Sequence, residues 1–368
     1  MALTSPSDSP DPKWIDQPAS VRAGEALDPA QLESYLREHL PGVGGPLTIQ
    51  QFPGGYSNLT YLLRAGGHEL VLRRPPFGAN IKGGHDMGRE YRILAALHPA
   101  YHKVPKPLAY CEDVSVIGAP FYVMERVRGV ILRNNTPEGL TLEPSLMRRL
   151  CFSLIETLAD LHRLDYVAAG LGDLGKPQGY VERQVEGWTK RYANAQTDDI
   201  AEMEQVGVWL AANRPPDSAP ALIHNDFRCD NVLLDPADLT RPVALLDWEM
   251  ATIGDPLMDV GTTLAYWAEA GAPAVMQDFS LVGRPGFINR QEFIERYASQ
   301  SGRDLSNILF YYVCGLFKLG VIVQQIYARY KKGLTHDERF RPLIFVVRAC
   351  GQMAARAIEK NRLYRLSE

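Results

Sequence analysis

Apolar positions along this 368-residue chain change their period once, close to Gly129. Before that point they fall in short runs, residues 47–52, 59–64, 69–73, 104–111 and 120–126. Gly54-Gly55, Gly66-Gly67 and the turn Gly118-Ala119-Pro120 separate several of these runs, a spacing that predicts five antiparallel strands with hairpin connections. Asp28 can cap a short helix through Leu32, Tyr35 and Leu36 to Leu40, ended by Pro41-Gly42, and a second helix is predicted over 86–97. Beyond Gly129 the apolar residues recur at helical spacing, predicting helices over 146–161, 180–194, 200–212, 293–299 and 305–330. Three brief apolar runs, 221–224, 232–234 and 243–246, interrupt that helical half and abut polar residues. The pattern predicts an α+β fold of two lobes: a flexible polar arm (1–27), an N-terminal lobe (28–128) with a five-stranded antiparallel sheet and a helix, and a larger, mainly helical C-terminal lobe (129–368).

Length supports that division, because a single hydrophobic core seldom keeps growing at this size. With 46% hydrophobic and 22% charged residues the chain is an ordinary globular sequence. A formal net charge of −4 supplies no broad cationic field, so neither nucleic acid nor an anionic membrane is an expected partner. The cysteines at 111, 151, 229, 314 and 350 lack metal-knuckle or disulfide-framework spacing, which points to reduced thiols in a cytoplasmic setting. The first residues have no basic region followed by an apolar one, and are read as a flexible arm rather than a secretory signal. Residues 308–327 are nearly long enough to span a bilayer but carry Lys318 at their centre, so a buried helix is expected.

Chemistry concentrates in LIHNDFRCDNVLLDPADLTRPVALLDWEMATIGDP. His224, Asp226 and Asn231 fit H-x-D-x-x-x-x-N, and Asp247 follows the next apolar run. Phosphoryl transfer requires a carboxylate to orient an attacking hydroxyl and take its proton, with hard oxygen ligands that hold Mg²⁺ against phosphates. Asp226 suits the first role, and Asn231 and Asp247 the second. A loop between two short strands can aim Asp226 and Asn231 together, with Asp247 delivered by the next strand.

The segments HNDFRCDN, LLDWE and GDPLMDVG resemble the aminoglycoside phosphotransferase and choline-kinase-like superfamily, small-molecule relatives of protein kinases. GGYSNLTYLL, LVLRRPP, REYRILAAL, FYVMERVRG and GYVERQVEGWTKRY are similar, in order, to the branch that includes the kinase-like N-terminal domains of acyl-CoA dehydrogenase fusion proteins. The resemblance implies a bilobal protein-kinase-like fold and an ATP- and Mg²⁺-dependent transfer to a small-molecule hydroxyl. It also implies that His224 and Asp259 are structural supports of the catalytic loop.

A phosphate cap is expected at Gly54, Gly55, Tyr56, Ser57 and Asn58, where the glycines allow backbone N–H groups to approach phosphate oxygens. Arg73 stands where protein kinases carry lysine, with Glu90 as its expected carboxylate partner. Strand alternation sends Arg73 and Arg74 to opposite faces, and the family register makes Arg73 the inward one. Met124, Glu125 and Val127 resemble the hinge whose backbone binds an adenine edge. Arg183, Trp188 and Arg191 lie at helical spacing and are candidates for the acceptor site; a packed helix with solvated charges is the competing reading.

The branch implies a hydroxyacyl-CoA or hydroxy acid as acceptor. An aminoglycoside or amino alcohol is the alternative, although no clear acidic cluster for a polycation is apparent. A protein kinase would need a longer activation segment after Asp247 than the short GDP-containing link provides. A nucleotide-binding pseudokinase or a scaffold would retain the fold without turnover.

Overall fold

A computed structural model of the chain describes residues 14–53, 58–78, 85–133, 136–277, 281 and 284–366. Its early elements are α1 (Pro29–His39), β1 (Thr48–Gln51), β2 (Leu59–Ala65), β3 (His68–Arg74), α2 (Met87–Leu97), β4 (Pro107–Cys111) and β5 (Phe121–Glu125). These are followed by α3 (Pro144–Arg163), α4 (Tyr180–Ala195), α5 (Ala201–Ala212), β6 (Ala221–Ile223), β7 (Val232–Leu234), β8 (Pro242–Leu245) and β9 (Thr252–Gly254). The chain continues through α6 (Pro256–Tyr266), α7 (Ala274–Gln277), α8 (Arg290–Ser301), α9 (Ile308–Lys331) and α10 (Leu343–Lys360).

Two compact units result, one of Met1–Ile131 with Val232–Met250, the other of Leu132–Asn231 with Ala251–Glu368. The expectation of one cut at 128/129 therefore misses an exchange: the β7–β8 hairpin counts with the first unit. It is stitched there by the Val130–Leu234 bridge and by Leu245 N–H donating to Lys103 O at 2.7 Å.

In the first unit the strands form an antiparallel sheet in the order β1-β2-β3-β5-β4. Leu59, Tyr61 and Leu63 of β2, Leu70 and Leu72 of β3 and Phe121 and Val123 of β5 share one core with Leu32, Tyr35 and Leu36 of α1. Each such side chain contributes about 1.5–3 kcal/mol of burial. Asp28 caps α1, accepting from Ala30 N–H at 2.9 Å. Alternation puts Arg74 on this α1 face and Arg73 on the other, in register with Tyr122.

The described part of the expected flexible arm, residues 14–27, is docked rather than free. Ile15 and Leu27 are buried, Ala19 bridges Gln51, and Tyr61 Oη donates to Glu25 O at 2.8 Å. The polar composition of that segment hides two apolar anchors and a short β-pairing.

The second unit is helical around α9, against which α4, α5, α6 and α10 pack. Among the described residues α9 is the one helix long and apolar enough to cross a bilayer, and 83% of its most apolar window is buried in the protein. Its crossing with α6 is a backbone contact between glycines: a Cβ on Gly315 would lie 2.1 Å from Gly261 O, and one on Gly261 2.0 Å from Tyr311 O. Helices α6 and α10 were not singled out by the periodic reading. In α6 ten of eleven residues are buried, so no polar face marks its period.

Candidate active site

In the first unit, Arg73 leaves β3 on the face opposite α1 and lies 3.3 Å from Glu90 of α2 and 2.9 Å from Asp247, with Glu249 at 3.8 Å. Burial opposes its charge, but Glu90 and Asp247 outweigh that and hold its pKa well above the usual value. Burial raises the pKa of Glu90, against the pull of Arg73. Asp247 has φ of 69°, a left-handed backbone unusual outside glycine, and the next peptide N–H, that of Trp248, donates to Glu90 Oε1 at 3.3 Å. Arg74 is also buried, but its guanidinium donates to the carbonyls of Pro75 and Ile117 and stacks on Phe77, away from this cluster.

In the second unit, β6 ends at Ile223 and the chain enters a loop that closes in a 3₁₀ turn, Cys229–Asn231. Asn225 takes φ of 65°. Asp259, fully buried in the first turn of α6, accepts from the His224 N–H at 2.6 Å and the Asn225 N–H at 2.9 Å. The Asn231 amide donates to both Asp226 Oδ2 and Asp226 O at 2.9 Å. That leaves the Asn231 carbonyl oxygen as a hard donor, the ligand type that Mg²⁺ accepts. Burial alone would raise the Asp259 pKa, yet His162 and the loop N–H donors hold it below the ordinary carboxylate value. Arg228, two residues after Asp226, pairs with Asp230 and lies 4.8 Å from the Tyr266 ring.

The remaining expected positions divide. Gly54, Gly55, Tyr56 and Ser57 lie outside the described residues. Asn58 is buried, with its amide donating to Glu249 at 2.7 Å and its oxygen 2.9 Å from His85 Nδ1. Met124 is buried and paired with Val71 across the sheet, Glu125 Oε1 accepts from Lys106 N–H at 3.0 Å, and Val127 packs on the Ile131, Leu233 and Ala244 cluster. On α4 the Arg191 guanidinium lies 4.6 Å from the Trp188 ring, whereas Arg183 is turned back to the carbonyls of Lys176 and Gln178. Trp188 itself is buried, so the structure brings together two of the three acceptor candidates on a helix whose apolar side is packed.

A family signature described as "Phosphotransferase enzyme family" matches residues 48–287. The chain belongs to this family. Acyl-CoA dehydrogenase family member 11 of Rattus norvegicus is 38% identical over 320 residues, covering 85% of this chain and 41% of the relative. The chain thus spans about two-fifths of that curated relative's length. A solved structure from Ralstonia eutropha, a candidate aminoglycoside phosphotransferase, is 32% identical with a TM-score of 0.78, covering 91% of this chain and 99% of the other. Aminoglycoside phosphotransferase APH(4)-Ia, solved with AMP-PNP and hygromycin B, shares the fold at a TM-score of 0.57 and 17% identity, covering 89% of this chain and 98% of that one. The phosphotransferase family chain has the kinase-like fold of these neighbours.

Several residues around the Asp226 loop carry no mark in the sequence pattern. His162 of α3 lies between Tyr297 Oη at 2.7 Å and Asp259 Oδ2 at 3.2 Å. The carboxylate can only accept, so the ring donates from Nε2 and takes the Tyr297 proton donor at Nδ1. Burial lowers the His162 pKa, favouring that neutral ring. Tyr180 Oη meets the Asn225 side chain at 3.1 Å, and Lys318 of α9 donates to Asn225 O at 2.7 Å. The available signal was Lys318 itself, a charge inside an apolar helix that requires a polar partner.

Proposed function

We propose that this chain transfers the γ-phosphoryl group of ATP to a hydroxyl of a small molecule. The observation that carries the reading is the Asp226 loop: a carboxylate preceded by a pinned left-handed residue and tied to Asn231, inside a chain of the phosphotransferase family. Asp226 orients the acceptor hydroxyl and takes its proton as the oxygen attacks, while His224 and Asp259 keep the loop in shape. Asn231 and Asp247 offer the oxygen donors for Mg²⁺, an ion usually held by one or two carboxylates together with substrate phosphates. When bound, the ion neutralises charge on the phosphates. Arg73 takes the phosphate-neutralising role of the usual lysine, and the backbone at Met124, Glu125 and Val127 serves the adenine.

For the acceptor we favour a hydroxyacyl-CoA or hydroxy acid. Kinship to a relative named for acyl-CoA chemistry supports it, as does the exposed cation Arg191 on α4. The aminoglycoside or amino-alcohol reading draws on the Ralstonia eutropha neighbour. A cytoplasmic enzyme with reduced thiols is consistent with five free cysteines.

The test is a nucleotide-consumption screen over hydroxyacyl-CoAs, hydroxy acids, amino alcohols, sugars and aminoglycosides, run beside Asp226→Ala. The expected result is turnover with one class, a loss of at least about a hundredfold in the variant, and unchanged nucleotide affinity. Nucleotide binding without turnover on any acceptor would favour a pseudokinase, and no Mg·ATP binding a scaffold.

A further inference from the structure

Lys318 is 4% exposed, in the middle of the long apolar helix α9. An ammonium so placed is strongly unfavourable unless polar groups surround it. Its Nζ lies 2.7 Å from Asn225 O and 3.4 Å from Thr262 Oγ1, with the Trp188 ring at 5.9 Å. The glycine contact between α6 and α9 makes this reach possible: Gly315 is one turn before Lys318, and its missing side chain lets α9 sit against Gly261 and Thr262. The lysine therefore passes beside Thr262 and ends under the loop. Burial lowers its pKa, while the nearby carboxylates of Asp226 and Asp259 favour the charged form.

The acceptor of that bond matters. Asn225 is in the left-handed region, which glycine adopts freely and asparagine more readily than other residues. Its N–H is fixed by Asp259, its side chain by Tyr180 and its carbonyl by Lys318, so one residue is gripped from three helices. The next residue is Asp226. A peptide rotation at 225 would swing that carboxylate directly.

We infer that Lys318 is a positioning residue for phosphoryl transfer, its amino group holding the Asn225 carbonyl so that the Asp226 carboxylate stays aimed. The inference rests on Asp226 being the base proposed above.

Two variants test it, Lys318→Met, which keeps the length of the chain and removes the ammonium, and Lys318→Gln, which keeps a donor without the charge. Two readouts separate the inference from the functional reading: hydrogen exchange of the amides in 224–231, which needs no turnover, and steady-state kinetics of Mg·ATP with water as the acceptor. For Lys318→Met the expected result is faster exchange in that segment and a fall in kcat of about 10- to 100-fold, with KM for ATP changed by less than about twofold. Lys318→Gln should fall between it and the parent. Unchanged exchange with kcat within about twofold of the parent would overturn the inference, as would loss of folding in both variants, which would leave the lysine a purely stabilising part. If the parent and Asp226→Ala hydrolyse ATP equally, the base assignment fails, and the claim about aiming it falls with that assignment whatever the exchange shows.

Discussion

Asn225 and Asp247 both hold a non-glycine backbone at positive φ, 65° and 69°, but the two compact units keep them there by different means. Around Asp247 the restraint is charge on charge: Arg73 reaches Asp247 and Glu90, and Glu90 also accepts the Trp248 N–H. Around Asn225 the restraint is on the backbone, with Asp259 taking two consecutive N–H groups and Lys318 the carbonyl. A guanidinium fork can exchange one carboxylate for a phosphate, so the first arrangement suits a group that must meet a changing ligand. A pinned peptide has no such alternative partner. The second arrangement suits a base whose direction has to be constant through turnover.

The backbone restraint around Asn225 depends most on Asp259. Asp259→Ala should cost about 3–5 kcal/mol in denaturant unfolding, because two loop N–H groups and His162 lose a buried partner together. Gly315→Ala is expected to lose about 2–3 kcal/mol, since its Cβ would meet Gly261 O at 2.1 Å and force α6 and α9 apart. Arg73→Lys, which keeps charge but loses the fork to Glu90 and Asp247, should cost about 1–2 kcal/mol and weaken nucleotide binding severalfold, read by calorimetry. Should Arg73→Lys prove more damaging to stability than Asp259→Ala, the ranking of the two restraints would be reversed.

The smallest effect is on pH dependence. Burial depresses the His162 pKa in the folded protein, so the unfolded chain binds the proton more readily. The stability that the neutral ring contributes is complete above about pH 6.5, the unfolded value, and declines as pH falls toward the folded one. Unfolding free energies from urea titrations at pH 7.5 and 5.5 should therefore differ more for the parent than for His162→Gln, by up to about 1 kcal/mol. Equal differences would remove His162 from the network that supports Asp259.

Local signals made much of this legible in the sequence. The sheet strands carry their period, Asp28 its cap, and Arg73 a strand position whose alternation turns it to the face where Glu90 of α2 lies. The Asp226 loop was readable because its spacing is short and its residue types are demanding. The supports beneath it were not, because His162, Tyr180, Tyr297 and Lys318 come from four helices far apart in sequence, and only tertiary packing brings Tyr180 and Lys318 to Asn225, His162 to Asp259 and Tyr297 to His162. The docking of residues 14–27 was missed for a related reason: two apolar anchors in a polar segment carry no period. The return of the β7–β8 hairpin to the first unit likewise depends on a bridge to Val130 that no local pattern announces.

The most direct measurement follows the label in [γ-³²P]ATP, incubated with Mg²⁺, the chain and a panel of hydroxyacyl-CoAs, and separated by chromatography. Radioactivity is expected on the acceptor's hydroxyl oxygen with the parent protein, and about a hundredfold less with Asp226→Ala. Label transferred equally well by both proteins would contradict the role of Asp226.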